Sequence, residues 1–81
     1  MTPDHLQPIE PASVVHELCD LLAVEISAAG YGVAAELLAF RETRTPWDGK
    51  RLANALHLAC KRPDLADQVE ALIAEKVPSW P

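Results

Sequence analysis

Two H-x-x-C pairs are the residues whose types and spacing most resemble a metal site. His16 and Cys19 form the first pair, and His57 and Cys60 form the second. On helices, two His and two Cys at this spacing would complete a tetrahedral zinc shell. However, structural zinc ligands usually come from loops with C-x-x-C spacing, and His57 is expected on the opposite side of its helix from Cys60. We therefore interpret both pairs as coincidences and expect neither a metal nor another cofactor.

The other reactive side chains do not indicate catalysis. Acid–base or covalent chemistry needs a nucleophile, a base and an orienting group that converge in one pocket. The three histidines are expected in the N-terminal segment and on two polar helix faces, and the chain has no glycine-rich phosphate loop. We expect no catalytic residues and a protein that is not an enzyme.

One carboxylate stands out because it falls on an apolar helix face. Glu25 lies between Leu22 and Ala29 in the apolar arc of the first predicted helix. A buried carboxylate without a partner is costly. Arg41 continues the apolar side of the next helix, so the sequence predicts an internal Glu25–Arg41 ion pair that sets the register of two antiparallel helices. A buried acid with a functional role is the alternative.

Four helices must position these residues. Apolar residues recur every three or four positions, and Gly30 predicts a left-handed end for the first helix. The clearest start is Thr45-Pro46, an N-cap followed by a first helical proline, with Asp48 as a second capping group. Asp64 is the expected cap of the last helix. The predicted helices span about residues 13–30, 33–43, 46–62 and 64–77.

The composition agrees with an all-α fold. The chain is 49% hydrophobic with few aromatic residues, which is typical of packed helices rather than of disordered chains. We predict a small, mostly antiparallel four-helix bundle that forms a single domain over residues 13–77. A flexible, disordered Pro-containing arm is expected over residues 1–12, and a tail over residues 78–81.

Charge is distributed unevenly along this acidic chain. Residues 1–40 carry six acidic residues and neither Lys nor Arg, whereas residues 41–62 carry six of the seven basic residues. Such asymmetry indicates either an interaction surface or neutralisation of the chain's own carboxylates.

The outer side of the third helix is the predicted contact surface. Its inner side is apolar, with Leu52 and Leu56, while its outer side combines basic residues with a Trp and a Leu. A solvated face needs charges but not large apolar groups, and aromatic residues and Arg are enriched at binding surfaces. Packing of Trp47 against a neighbouring helix is the alternative. The predicted partner-binding residues are Trp47, Lys50, Arg51, Asn54, His57, Leu58, Lys61 and Arg62.

Two functions are compatible with this surface. The first is a protein-interaction module, an adaptor, inhibitor or antitoxin-like regulator that occupies a partner protein with an acidic surface. The second is a nucleic-acid-binding regulator that uses the basic third helix, at about residues 46–62. The isoelectric point near 5.0 favours the first, because nucleic-acid-binding domains are usually basic. If the third helix is not the contact surface, the acidic first helix around Glu17 and Asp20 is the expected alternative.

Location and assembly follow from simpler features. No apolar run approaches the roughly 20 residues that span a bilayer, so we expect no membrane segment. The first 13 residues lack both a basic residue and an apolar stretch, so we expect no secretory signal and a cytoplasmic protein. Association into a homo-oligomer such as a homodimer is compatible with the sequence, because small cores gain stability from association.

Overall fold

The computed structural model describes residues 7–77, which form four consecutive helices. These are α1 (Ala12–Ala29), α2 (Ala34–Thr43), α3 (Pro46–Leu58) and α4 (Pro63–Lys76). Residues 7–77 contain no strand. The prediction of a small all-α bundle is confirmed, whereas the predicted tail over residues 78–81 lies outside the described residues.

Helix α3 is central to the packing of the bundle. It packs most extensively on α4 and then on α2, while α1 packs on α2. All four helices contribute to one apolar core, and no polar or charged residue of the described chain is buried in it. Since α3 is packed on two sides, only part of its surface is left for a partner. The largest fully buried side chains include Phe40, Leu22, Leu52, Leu56 and Ile73.

Two predicted helix boundaries are confirmed by their cap geometry. The Thr45 hydroxyl accepts a hydrogen bond from the Asp48 amide at 3.2 Å, and Pro46 is the first residue of α3. The Asp48 carboxylate does not bind an amide there; it accepts hydrogen bonds from the hydroxyls of Thr43 and Thr45. Gly30 ends α1 in the left-handed region with φ +72°. Both boundaries depend on neighbours in sequence, which explains why local patterns predicted them.

The connection between α3 and α4 differs from the prediction. Helix α3 ends at Leu58, before Pro63, and α4 begins at Pro63 itself. Proline suits the first helical position because its missing amide hydrogen has no partner there anyway. Asp64 forms no cap; its carboxylate accepts hydrogen bonds from Arg62 at 2.9 and 3.0 Å. Lys61 therefore lies in the connection, with φ 57°, and not on a helix.

The predicted arm over residues 1–12 is anchored at Ile9. This side chain is buried in the core, and its amide donates to the Arg44 carbonyl at 2.7 Å. The Arg44 guanidinium in turn donates to the Ile9 carbonyl at 3.2 Å. Residues 1–6 of the predicted arm lie outside the described residues. The segment before α1 thus contributes to the core although it has no periodic pattern.

Gly49 marks the closest approach of α3 to its neighbours. A Cβ atom at this position would lie 2.9 Å from Ile73 Cδ1 on α4 and 2.9 Å from Phe40 Cε1 on α2. Any side chain here would have to displace one of these two groups. The lack of a side chain at Gly49 is therefore what allows the three helices to pack this closely.

Candidate functional site

The basic residues mostly pair with carboxylates of the same chain. Among the Lys and Arg residues of the described range 7–77, only Lys61 has no ion pair, and its side chain is exposed. The uneven charge of the sequence is therefore largely neutralised inside the domain. The pairs are Arg41–Asp20, Arg44–Glu10, Lys50–Glu70, Arg51–Asp48, Arg62 with Asp64 and Glu25, and Lys76–Glu75.

The predicted Glu25–Arg41 ion pair is wrong. Arg41 pairs with Asp20, while a carboxylate oxygen of Glu25 lies 3.8 Å from a guanidinium nitrogen of Arg62. The Glu25 side chain is 54% exposed and so needs no internal partner. The prediction assumed that α1 buries a wider apolar face than it does. Helix α1 buries only the narrow stripe Val15, Cys19, Leu22 and Ile26.

Lys50 and Arg62, which were predicted to bind a partner, instead link different elements of the domain. Lys50 donates to Glu70 at 2.6 Å and thereby links α3 to α4. Arg62 donates to Asp64 and, at 3.4 Å, to the Tyr31 hydroxyl in the α1–α2 connection. The hydrogen bonds from Arg62 lower the pKa of the Asp64 carboxyl. The structure therefore gives Lys50 and Arg62 roles in joining elements of the bundle.

Five of the other predicted residues lie on the outer side of α3, and Lys61 follows the end of this helix. Trp47, Arg51, Asn54 and Leu58 follow one another at intervals of four, three and four residues, so they form a single line along the helix. Trp47 is 51% exposed and Leu58 is 66% exposed. His57 is exposed beside this line, and Lys61 is exposed in the connection that follows α3. We refer to these six residues, Trp47, Arg51, Asn54, His57, Leu58 and Lys61, as the α3 surface.

A second exposed apolar face lies on α1, the helix that was the expected alternative contact surface. Leu21 is 64% exposed and Val24 is 67% exposed. Glu17 and Asp20 lie beside them along an open depression, and Ala28 is exposed one turn further on. The periodicity of the sequence did not show how narrow the buried stripe of α1 is. We refer to Glu17, Asp20, Leu21, Val24 and Ala28 as the α1 surface.

The cysteines and histidines of the H-x-x-C pairs do not form a cluster in the described chain. Cys19 is buried, Cys60 is half-buried, and both are free thiols. Burial raises the pKa of the Cys19 thiol to about 11, so this thiol is protonated at neutral pH. Within residues 7–77, no group of three or more His, Cys, Asp or Glu side chains could hold a metal ion.

One small cavity lies between α2 and α3. Its volume is about 60 Å³, and Glu36, Asp48 and Arg51 contribute to its lining. One carboxylate oxygen of Glu36 is buried and has no hydrogen-bond partner among the described residues. A cavity of this size has room for water molecules.

No protein-family model matches this chain, and no curated protein or solved structure matches it either. Among residues 7–77, no helix has both the length and the apolar character needed to cross a bilayer. The α3 surface and the α1 surface are therefore the features that indicate a function.

Proposed function

We propose that this chain is a non-enzymatic protein-interaction module that binds a partner protein through the α3 surface. The observation that carries the proposal is the exposure of Trp47 and Leu58 at the two ends of one line on α3. Exposing two large apolar groups gives a solvated face no advantage, whereas a Trp that becomes buried in a complex contributes strongly to binding. Arg51 and Asn54 lie between them and supply polar contacts.

The charges of the α3 surface favour a partner with an acidic rim around an apolar contact. Lys61 is exposed and forms no ion pair within residues 7–77, and Arg51 lies 3.8 Å from Asp48 in a loose pair. Cations of this kind speed association and select the partner more than they increase affinity. An adaptor, an inhibitor or an antitoxin-like regulator would use such a surface in the same way.

The ion pairs also support a protein partner over a nucleic acid. Affinity for nucleic acid comes largely from cations that neutralise phosphates. Here six of the seven Lys and Arg residues already contact carboxylates, and the net charge is −5. A phosphate would have to compete with those carboxylates for nearly every cation.

Capture of partners from native cells tests the proposal. The immobilised chain is compared with Trp47→Ala and Leu58→Ala, and bound proteins are quantified by mass spectrometry. The matched control is Leu38→Ala, which truncates a side chain that is 58% exposed on α2. We expect the two α3 variants to lose the same proteins and the Leu38 variant to retain them.

Three results would contradict the proposal. The α3 variants could retain full binding, the Leu38 variant could lose as much, or the captured material could disappear after nuclease treatment. Thermal melts by circular dichroism accompany each variant. Leu38 and Leu58 are mostly exposed, so we expect their changes to affect stability by no more than about 0.5 kcal/mol. Trp47 is about half-buried against its own domain, so Trp47→Ala should cost more than this, and its binding is compared well below its melting temperature.

A further inference from the structure

We propose that the partner of the α3 surface is a second copy of this chain, which presents its α1 surface. The inference deepens the proposed function and rests on it, because it uses the same α3 surface. It adds the identity of the partner and a role for the exposed apolar face of α1.

The two surfaces have matching dimensions. Trp47, Arg51, Asn54 and Leu58 recur at intervals of four, three and four residues, and Glu17, Leu21, Val24 and Ala28 recur at the same intervals. At a rise of 1.5 Å per residue, each line is about 16 Å long. Each line therefore presents three turns of exposed helix to a facing helix.

The two surfaces also combine apolar groups with charges of opposite sign. Leu21 and Val24 on α1 accompany Glu17 and Asp20, and α1 contains neither Lys nor Arg. The α3 surface contains two large apolar side chains together with the cations Arg51 and Lys61. Contact between the two surfaces would bury these apolar groups and bring carboxylates of one copy close to cations of the other.

The charges needed for this contact are available. Within residues 7–77, neither Glu17 nor Lys61 forms an ion pair. The Asp20 carboxylate remains 67% exposed even though it pairs with Arg41. The domain thus leaves one acidic group on α1 and one basic group after the end of α3 without an internal ion pair, and these two groups have opposite charges.

This contact joins two different surfaces of the chain, so a single contact is heterologous, whereas two reciprocal contacts form a symmetric, isologous dimer. After one contact, the first copy still has a free α1 surface and the second still has a free α3 surface. The assembly then either closes into a ring or a reciprocal dimer, or continues as an open chain. In every case the contact needs one intact surface of each kind.

A mixing experiment with two single-surface variants uses this requirement. The α1 variant carries Glu17→Lys and Leu21→Lys, and the α3 variant carries Leu58→Glu and Lys61→Glu. All four side chains are exposed, and none is in an ion pair within the described chain. Mass is measured by analytical ultracentrifugation from about 1 µM to about 1 mM, which covers strong and weak contacts. Circular dichroism confirms that each variant is folded.

We expect the wild-type chain to increase in mass with concentration. Each variant alone should lose this behaviour, with Kd weakened at least about tenfold by like charges and lost apolar contact. An equimolar mixture of the two variants should associate again, with a 1:1 dimer as its smallest species, because it contains one intact surface of each kind and the two changed surfaces carry opposite charges. Leu38→Ala serves as the control and should assemble as the wild type does.

Three results would overturn the inference. The wild type could stay monomeric throughout the concentration range, or the mixture could fail to form the 1:1 dimer. The α3 variant alone could also lose assembly while the α1 variant retains it, which would indicate contact between two α3 surfaces. Failure of the proposed function is a separate result. It requires that the α3 variants retain the proteins captured from cells, which does not depend on the mass of the purified chain.

Discussion

Replacing Gly49 by Ala should destabilise the fold, although helix propensity alone predicts the opposite. Ala in a helix interior is favoured over Gly by about 1 kcal/mol. At Gly49, however, the added Cβ would lie 2.9 Å from both Ile73 Cδ1 and Phe40 Cε1. Attractive contacts between carbon atoms have separations of about 3.5–4.0 Å, so both approaches are repulsive.

The size of the effect depends on which neighbour can move. The terminal methyl group of Ile73 can rotate away, but the ring of Phe40 is fully buried and is packed on all sides. Overpacking a core costs about 1–3 kcal/mol, and two simultaneous collisions place Gly49→Ala in the upper part of that range. After subtraction of the propensity gain, we expect a net loss of about 1–2 kcal/mol. The melting temperature should fall by roughly 4–16 °C.

Urea and thermal unfolding of all three single Gly→Ala variants provide the assay. A Cβ at Gly32 meets nothing within 4 Å, so Gly32→Ala should change stability by no more than about 0.5 kcal/mol. Gly30 is equally open but has φ +72°, so Gly30→Ala should cost about 1–2 kcal/mol through the backbone alone. Combining Gly49→Ala with Ile73→Val removes one of the colliding atoms, and the double variant should be more stable than the sum of the single changes.

One result would refute this reasoning. If Gly49→Ala stabilises the protein by about 1 kcal/mol, as expected for an exposed helical glycine, then α3 does not approach α2 and α4 as closely as described.

Four further predictions follow from burial and charge. Leu56 is fully buried, so Leu56→Ala should cost about 2–5 kcal/mol in urea unfolding, and a loss below about 1 kcal/mol would contradict its core position. Cys19 should react with thiol reagents far more slowly than Cys60 in the native protein, and equal rates would show that Cys19 is accessible. Because the folded state holds a Cys19 proton that the unfolded state releases near pH 9, stability should fall between about pH 9 and pH 11, and Cys19→Ala should flatten that decline. Arg62 lowers the pKa of Asp64, so this pair stabilises the fold above about pH 4 and its contribution is lost as pH falls further; melts of Asp64→Asn should lack this part of the acid dependence.

Helix positions were predictable because their signals are local. The Thr45 hydroxyl reaches an amide three residues away, and Gly30 supplies its own backbone conformation. Where two local signals competed, the prediction was less accurate. Both Pro63 and Asp64 can begin a helix, and the structure begins α4 at Pro63 while the Asp64 side chain binds Arg62.

The candidate site was predictable only in part. The periodicity of α3 identified its outer side, and the exposure of Trp47 and Leu58 agrees with that assignment. The apolar face of α1 was missed because periodicity gives the direction of a buried stripe but not its width. That width depends on how many neighbours a helix has, and α1 packs mainly on α2. Leu21 and Glu25 are therefore exposed, although both lie near the apolar side of the helix.

By itself, the sequence determined the helical class, the main caps and the concentration of positive charge in residues 41–62. Only the tertiary structure decided which carboxylates pair with these basic residues. Lys50 meets Glu70, and Arg41 meets Asp20, across about twenty positions of the chain. Coulomb attraction between side chains depends on their separation in space, which sequence spacing does not specify beyond a few residues. The close approach at Gly49 was decided in the same way, because its two neighbours come from other helices.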